Sequence, residues 1–103
     1  MTIQSQLDTS NKQLTIHVGQ RFDFRVHREF RDCYTSTDGA NSTYVINLEN
    51  TTYMDSSALG MLLLLREHSG GETSRLILRK VKPELMKILR ISNFDQLFTI
   101  ENG

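Results

Sequence analysis

The segment YVINLENTTYMDSSALGMLLLL, Tyr44 to Leu65, decides the fold. Its first part, Tyr44-Val-Ile-Asn-Leu48, is short, β-branched and almost continuously apolar, as a strand buried on both faces is. Its last part, Ala58-Leu-Gly-Met-Leu-Leu-Leu-Leu65, predicts a helix from its Ala, Leu and Met content and its length, with Gly70 and Gly71 ending it. Between them lie Glu49 to Met54 and then Asp55-Ser56-Ser57. Ser and Asp suit a helix start because their side-chain oxygens accept from the free N–H groups of the first turn. Strand, loop and capped helix make one βα unit.

Working outward, the stretch from Thr35 to Thr43 is polar and turn-rich, which predicts a loop. Before it, Phe22, Val26, Phe30, Cys33 and Tyr34 recur at helical spacing, with Arg25, Arg28, Glu29, Arg31 and Asp32 on the other side. Gly19-Gln-Arg21 separates that helix from a strand in which Leu14, Ile16 and Val18 alternate with Thr15 and His17. Ile3 to Leu7 is a weaker strand, joined to it across the polar turn Asp8 to Lys12. Downstream, Arg75-Leu-Ile-Leu-Arg79 reads as a strand. Pro83 opens a helix with the stripe Leu85, Met86, Ile88 and Leu89, and Leu97 to Ile100 is the last strand. The order ββαβαβαβ predicts an α/β fold, a mixed central sheet of about five strands packed by three main helices. A length of 103 residues suits a single domain over residues 1–103.

Twelve Lys and Arg balance twelve Asp and Glu, so the chain lacks the electrostatic footprint of a nucleic-acid binder and no nucleic-acid partner is expected. The single Cys33 excludes an intramolecular disulfide, fits a reducing compartment, and sits on an apolar stripe where it reads as packing. Residues Met1 to Gln6 lack the basic-then-apolar pattern of a secretory leader. The apolar run from Ala58 to Leu65 falls well short of the about 20 residues that cross a bilayer. A cytoplasmic protein with no membrane partner is the expectation.

Catalytic signatures are missing. His17, His27 and His68 have no metal-ligand spacing, and neither G-x-S-x-G nor a phosphate-binding glycine loop occurs. No catalytic residue, metal or cofactor is therefore expected. Arg21, Arg25, Arg28 and Arg31 could form a docking stripe, but with Glu29 and Asp32 interleaved a solvated helix face is the simpler reading. Asp55-Ser56-Ser57 remains. A helix N-terminus presents unpaired N–H donors and partial positive charge, so a serine there can carry a phosphate without unfolding the domain.

Residues Asn47 to Gly60, NLENTTYMDSSALG, closely resemble the phosphorylation loop of bacterial anti-sigma-factor antagonists, small proteins of the STAS domain family. The family pattern is a buried strand, a short loop and D-S-[S/T]-G-L-G opening a helix. Gly19-Gln-Arg-Phe-Asp23 is similar to the family's G-x-[L/F]-D turn, with one extra residue before Asp23. Ala58 stands where the family usually has Gly. Many members continue into a C-terminal helix after the last strand, so part of the sheet is expected to be more exposed here.

The resemblance implies a STAS-like fold and a non-enzymatic partner switch. The unphosphorylated chain would sequester an anti-sigma factor that is also a serine kinase. Phosphorylation of Ser56 would abolish this, and a PP2C-type Ser/Thr phosphatase would restore it. Asp23, Met54, Asp55, Ser57, Ala58, Leu59 and Gly60 would form the surrounding docking face, and Asp55 and Asp23 would add negative charge beside the phosphate. ATP and Mg²⁺ would belong to the kinase. The alternatives are the same switch aimed at a motility or biofilm regulator, and a nucleotide-binding or sensory module without a phosphorylation cycle. Ser56 is expected at or within one residue of a helix start. Burial is expected for Phe30, Val45, Ile46, Leu48, Leu59, Leu62 and Leu63, and Leu63→Ala should then cost about 2–5 kcal/mol.

Overall fold

The central strand β4 (Thr43–Asn47) is bordered on both sides by parallel neighbours, which is why it tolerates an almost unbroken apolar run. The computed structural model describes residues 3–37 and 39–102, so residue 38 of the expected loop lies outside the described residues. Around β4 stand β1 (Ile3–Asp8), β2 (Gln13–Val18), β6 (Arg75–Val81) and β7 (Thr99–Asn102), in the order β1-β2-β4-β6-β7. Only β1 is antiparallel, folded onto β2 as a hairpin. The helices are α1 (His27–Tyr34), α2 (Ser56–His68) and α3 (Pro83–Ile91). Two further strands, β3 (Arg21–Phe22) and β5 (Tyr53–Met54), form a small parallel ladder of their own.

From β2 to β7 every crossover steps the same way across the sheet, and right-handed connections then place all three helices on one face. On that face Leu14, Ile16, Tyr44, Ile46, Leu76 and Leu78 join Phe30, Leu62, Leu65, Leu85 and Leu89 in one core. Val45 points the other way and stands outside that cluster, yet it is fully buried between its register partners Thr15 and Ile77. The strand is thus covered on one side by helices and on the other by its own sheet neighbours.

The first helix differs from its sequence reading. Phe22 is not helical: it lies in β3, fully buried, its ring centroid 5.2 Å from that of Phe30. The cause is non-local. The Thr51 hydroxyl donates to the Gly19 carbonyl at 2.8 Å and the Thr52 amide to the Gln20 carbonyl at 2.9 Å, so the loop after β4 recruits residues 19–22 as a strand partner. The chain then passes through a 3-10 turn, Phe24–Val26, before α1 begins at His27.

The apolar run of α2 also needs correction. Leu63 is 41% exposed and Leu64 53% exposed. Successive residues are rotated by about 100° round a helix, so four consecutive leucines cannot all face one core. The buried face is Ala58, Met61, Leu62 and Leu65, with Leu59 half-buried beside it. The large loss expected for Leu63→Ala therefore belongs to Leu62. Cys33 is only half-buried, its thiol donating to the Glu29 carbonyl at 3.2 Å. The last strand starts at Thr99, because Phe94–Gln96 forms a 3-10 turn that tucks Phe94 and Phe98 into the core. Pro83 is the first residue of α3.

Candidate functional site

The two-residue ladder of β3 and β5 pairs Arg21 with Tyr53 and Phe22 with Met54, so Asp23 and Asp55 each follow a paired residue. Each aspartate then starts a helical segment. Asp55 has extended backbone, and its Oδ1 accepts from the Ala58 amide at 3.2 Å, while its carbonyl accepts from the amides of Ala58 and Leu59. The Asp23 Oδ1 accepts from the Arg25 amide at 3.1 Å and caps the 3-10 turn. Met54 and Ala58 are buried and anchor the start of α2 in the core. The loop that leads there is held by the buried Thr51.

Ser56 is the first residue of α2 and is exposed, with its hydroxyl in no hydrogen bond to the described residues. Asp55 supplies the cap, so neither serine is needed for that purpose. Ser57 is half-buried and lines a shallow pocket of about 320 Å³ with Phe24, His27, Gly60, Met61 and Leu64. Phe24, 70% exposed, and Leu64 are large apolar side chains presented to solvent beside the phosphate-acceptor candidate. Together with Gly60 and Met61 they leave exposed apolar surface next to the start of α2. His27 shares the pocket, and among the described residues no hydrogen bond joins it to either serine.

Asp23 brings a different charge from the one the resemblance implied. Its Oδ2 lies 3.1 Å from Arg25 Nη2 and 3.3 Å from Arg21 Nε, so two arginines offset its negative charge. Arg21 also stacks over the Tyr53 ring, 4.1 Å from its centroid. The arginine series therefore does not lie along one helix: Arg21 and Arg25 bind Asp23, and only Arg28 and Arg31 sit on α1. The side-chain hydrogen bond from Arg25, together with the Arg25 amide, the Arg25 charge and the hydrogen bond from Arg21, holds the Asp23 carboxyl below its ordinary value despite partial desolvation.

A carboxyl depressed on folding contributes stability above its unfolded value, near pH 3.9, and loses that contribution as pH falls through the folded value. Asp23→Asn should therefore be less stable than wild type at neutral pH, with the gap narrowing as pH falls below the unfolded value of about 3.9. Urea midpoints across that range check it. A gap that stays constant into strong acid would show that ionisation of Asp23 does not hold the turn.

Gly60 lies in the middle of α2, and a Cβ added there would meet nothing within 4 Å. Gly60→Ala should raise stability by about 0.5–1 kcal/mol, because alanine loses less backbone entropy in a helix. The new methyl would stand in the pocket between Phe24 and Leu64. A fall in the urea midpoint instead would mean the pocket wall closes on it.

Sequence reasoning passed over Phe24, His27 and Leu64. The signal for Phe24 was its position off the Phe22, Val26 and Phe30 stripe, an aromatic with no place in the core. For Leu64 it was the length of the leucine run. Among the described residues no group of three or more His, Cys, Asp or Glu is placed to hold a metal ion, and no helix is long and apolar enough to cross a membrane.

The family described as Mlab, STAS domain matches residues 5–100. A STAS-domain containing protein of Pseudomonas aeruginosa is 50% identical over 100 residues, covering 97% of this chain and 99% of that one. The anti-sigma-B factor antagonist of Staphylococcus aureus is 26% identical over 105 residues, covering 100% and 96%. Among solved structures, the anti-sigma factor antagonist SpoIIAA in its unphosphorylated form superimposes with a TM-score of 0.75 at 21% identity, over 98% of this chain and 88% of that one.

Proposed function

The chain belongs to the STAS domain family, and from that membership we propose that it is a phosphorylation-controlled partner switch acting as an anti-sigma-factor antagonist. The unphosphorylated form docks an anti-sigma factor that is also a serine kinase. Phosphate on Ser56 ends the docking, and a PP2C-type phosphatase restores it. The observation that carries this reading is the exposed Ser56 at the first residue of α2, with an apolar pocket beside it. The name of the Staphylococcus aureus relative supports the antagonist role, and the solution of SpoIIAA in both an unphosphorylated and a phosphorylated form supports a phosphorylation cycle.

Physically, the switch needs little energy. A phosphate adds about −1.5 to −2 charge and three acceptor oxygens at one point of the docking face. Tenfold weaker binding corresponds to only about 1.4 kcal/mol. The pairing of β5 with β3 and the buried Met54 and Ala58 anchor the chain on either side of the serine, which supports a switch that changes the surface charge and not the fold. This chain supplies the acceptor, and the kinase supplies ATP and Mg²⁺.

Phosphosite mapping of the protein isolated from its host tests the proposal, and Ser56 should carry the phosphate in one state and not in another. Absence of Ser56 phosphate under every growth condition would sink it. Purified protein should not label itself with Mg·ATP. Phe24→Ala should leave the urea midpoint within about 0.5 kcal/mol of wild type, as for other exposed side chains, while weakening partner binding about tenfold or more. Unchanged binding by this variant would place the docking face elsewhere.

A further inference from the structure

Away from Ser56, a groove of about 670 Å³ runs between the end of β6 and the outer flank of α3. Its floor is apolar, made by Val81, Pro83 and Met86, and its rim carries Lys80, Lys82, Lys87 and Arg90. Among the described residues the only acid lining it is Glu49, 3.5 Å from Lys80 Nζ. Lys82, Lys87 and Arg90 form no ion pair among the described residues. In a chain whose charges cancel overall, four of the twelve Lys and Arg residues are gathered here.

Two backbone features build the groove. The pairing of β6 with β7 shifts register between Leu78 and Val81, and Lys80 sits there with φ of 57°, a left-handed conformation that side chains rarely adopt. The extra residue re-phases the strand, so Val81 turns into the groove floor and Lys80 turns out to the rim. On α3 the positions Pro83, Met86, Lys87 and Arg90 follow the i, i+3, i+4, i+7 spacing of a single stripe, separate from the buried Leu85 and Leu89. The result is an amphipathic channel lying along the helix.

We propose that this groove docks an acidic, amphipathic peptide segment of a partner protein, through its cationic rim and apolar floor. The unpaired cations raise the local positive potential, and acidic side chains relieve it. The floor accepts an aliphatic side chain between them. Lys82 and Arg90 are eight residues apart, about 12 Å along a helix axis, which spans about four residues of an extended peptide. A nucleotide fits less well. No aromatic ring among the described residues lines the groove to stack a base, and Pro83 removes an N–H from the start of α3. Glu49 follows β4, so the groove opens at the same end of the sheet as the loop leading to Ser56. The inference stands independently of phosphorylation.

The test is fluorescence anisotropy with a labelled synthetic peptide rich in Glu and Leu, and a control in which Lys replaces Glu, at about 50 mM salt where the Debye length exceeds 10 Å. The Glu-Leu peptide should bind wild type and Phe24→Ala equally. Binding should weaken at least tenfold in a Lys87→Glu, Arg90→Glu double variant, whose changed side chains are exposed and should leave the circular dichroism unchanged. Amide shifts on titration should cluster at residues 80–90. Failure of the acidic peptide to bind, equal affinity in the double variant, or equal binding of the Lys-Leu control would overturn the proposal. So would displacement by ATP or a DNA oligonucleotide at lower concentration than by unlabelled peptide.

Discussion

Ser56→Ala should abolish kinase-dependent phosphorylation and leave a protein that holds its partner permanently. The Ser56 hydroxyl is exposed at the first residue of α2 and engaged with no described residue, so its removal takes nothing from the fold. Phosphorylated wild type should bind the partner about 10–100-fold more weakly than the unphosphorylated form, which corresponds to roughly 1.4–2.8 kcal/mol. Ser56→Asp should weaken binding by less, since one carboxylate supplies less charge and fewer acceptor oxygens than a phosphate. Ser57→Ala should still accept phosphate. Ser57 is half-buried in the pocket with Phe24 and Leu64, so its loss should touch docking before it touches modification. Phosphate-affinity gels with the cognate kinase, beside partner pull-downs, separate these outcomes. A shifted band retained by Ser56→Ala and lost by Ser57→Ala would move the site by one residue.

Leu62→Ala should destabilise the protein by about 2–5 kcal/mol, whereas Leu63→Ala should cost less than about 1 kcal/mol. Leu62 is fully buried in the core that joins α2 to Phe30 and the sheet, and its truncation leaves a cavity that only partial relaxation can fill. Leu63 keeps 41% of its surface in water, so little burial is lost. Against a typical total of about 5–15 kcal/mol, the Leu62 loss is a large fraction of the stability. Urea unfolding of both variants reads the difference. Similar losses at the two positions would mean that α2 presents a different face to the sheet.

Local patterns carried far in this chain. The alternation of Leu14, Ile16 and Val18 and the short runs at Tyr44 and Arg75 each describe one segment, and each became a strand of the main sheet. Pro83 pre-sets the backbone angle of a first helical turn, and α3 starts there. The Asp55-Ser56-Ser57 triplet announced the start of α2 because a capping side chain acts within three residues of itself. The acceptor candidate was legible for the same reason: a short motif names the helix start that displays it.

Periodicity and short-range chemistry were therefore enough for the order of the main-sheet strands and the three helices, the mixed α/β class and the place of Ser56 at a helix start, but not for the β3–β5 ladder. Tertiary structure alone decided that Phe22 is a strand residue, because its partners Thr51 to Met54 lie about thirty positions away and no helical stripe reports them. It decided which leucines of α2 face the core, since an unbroken apolar run carries no phase and the sheet beneath supplies it. It also paired Arg21 and Arg25 with Asp23 and left Phe24 in solvent beside Ser57. Ion pairs and docking pockets are made where separate elements meet, and the distance between two elements is set by packing, which no local pattern encodes.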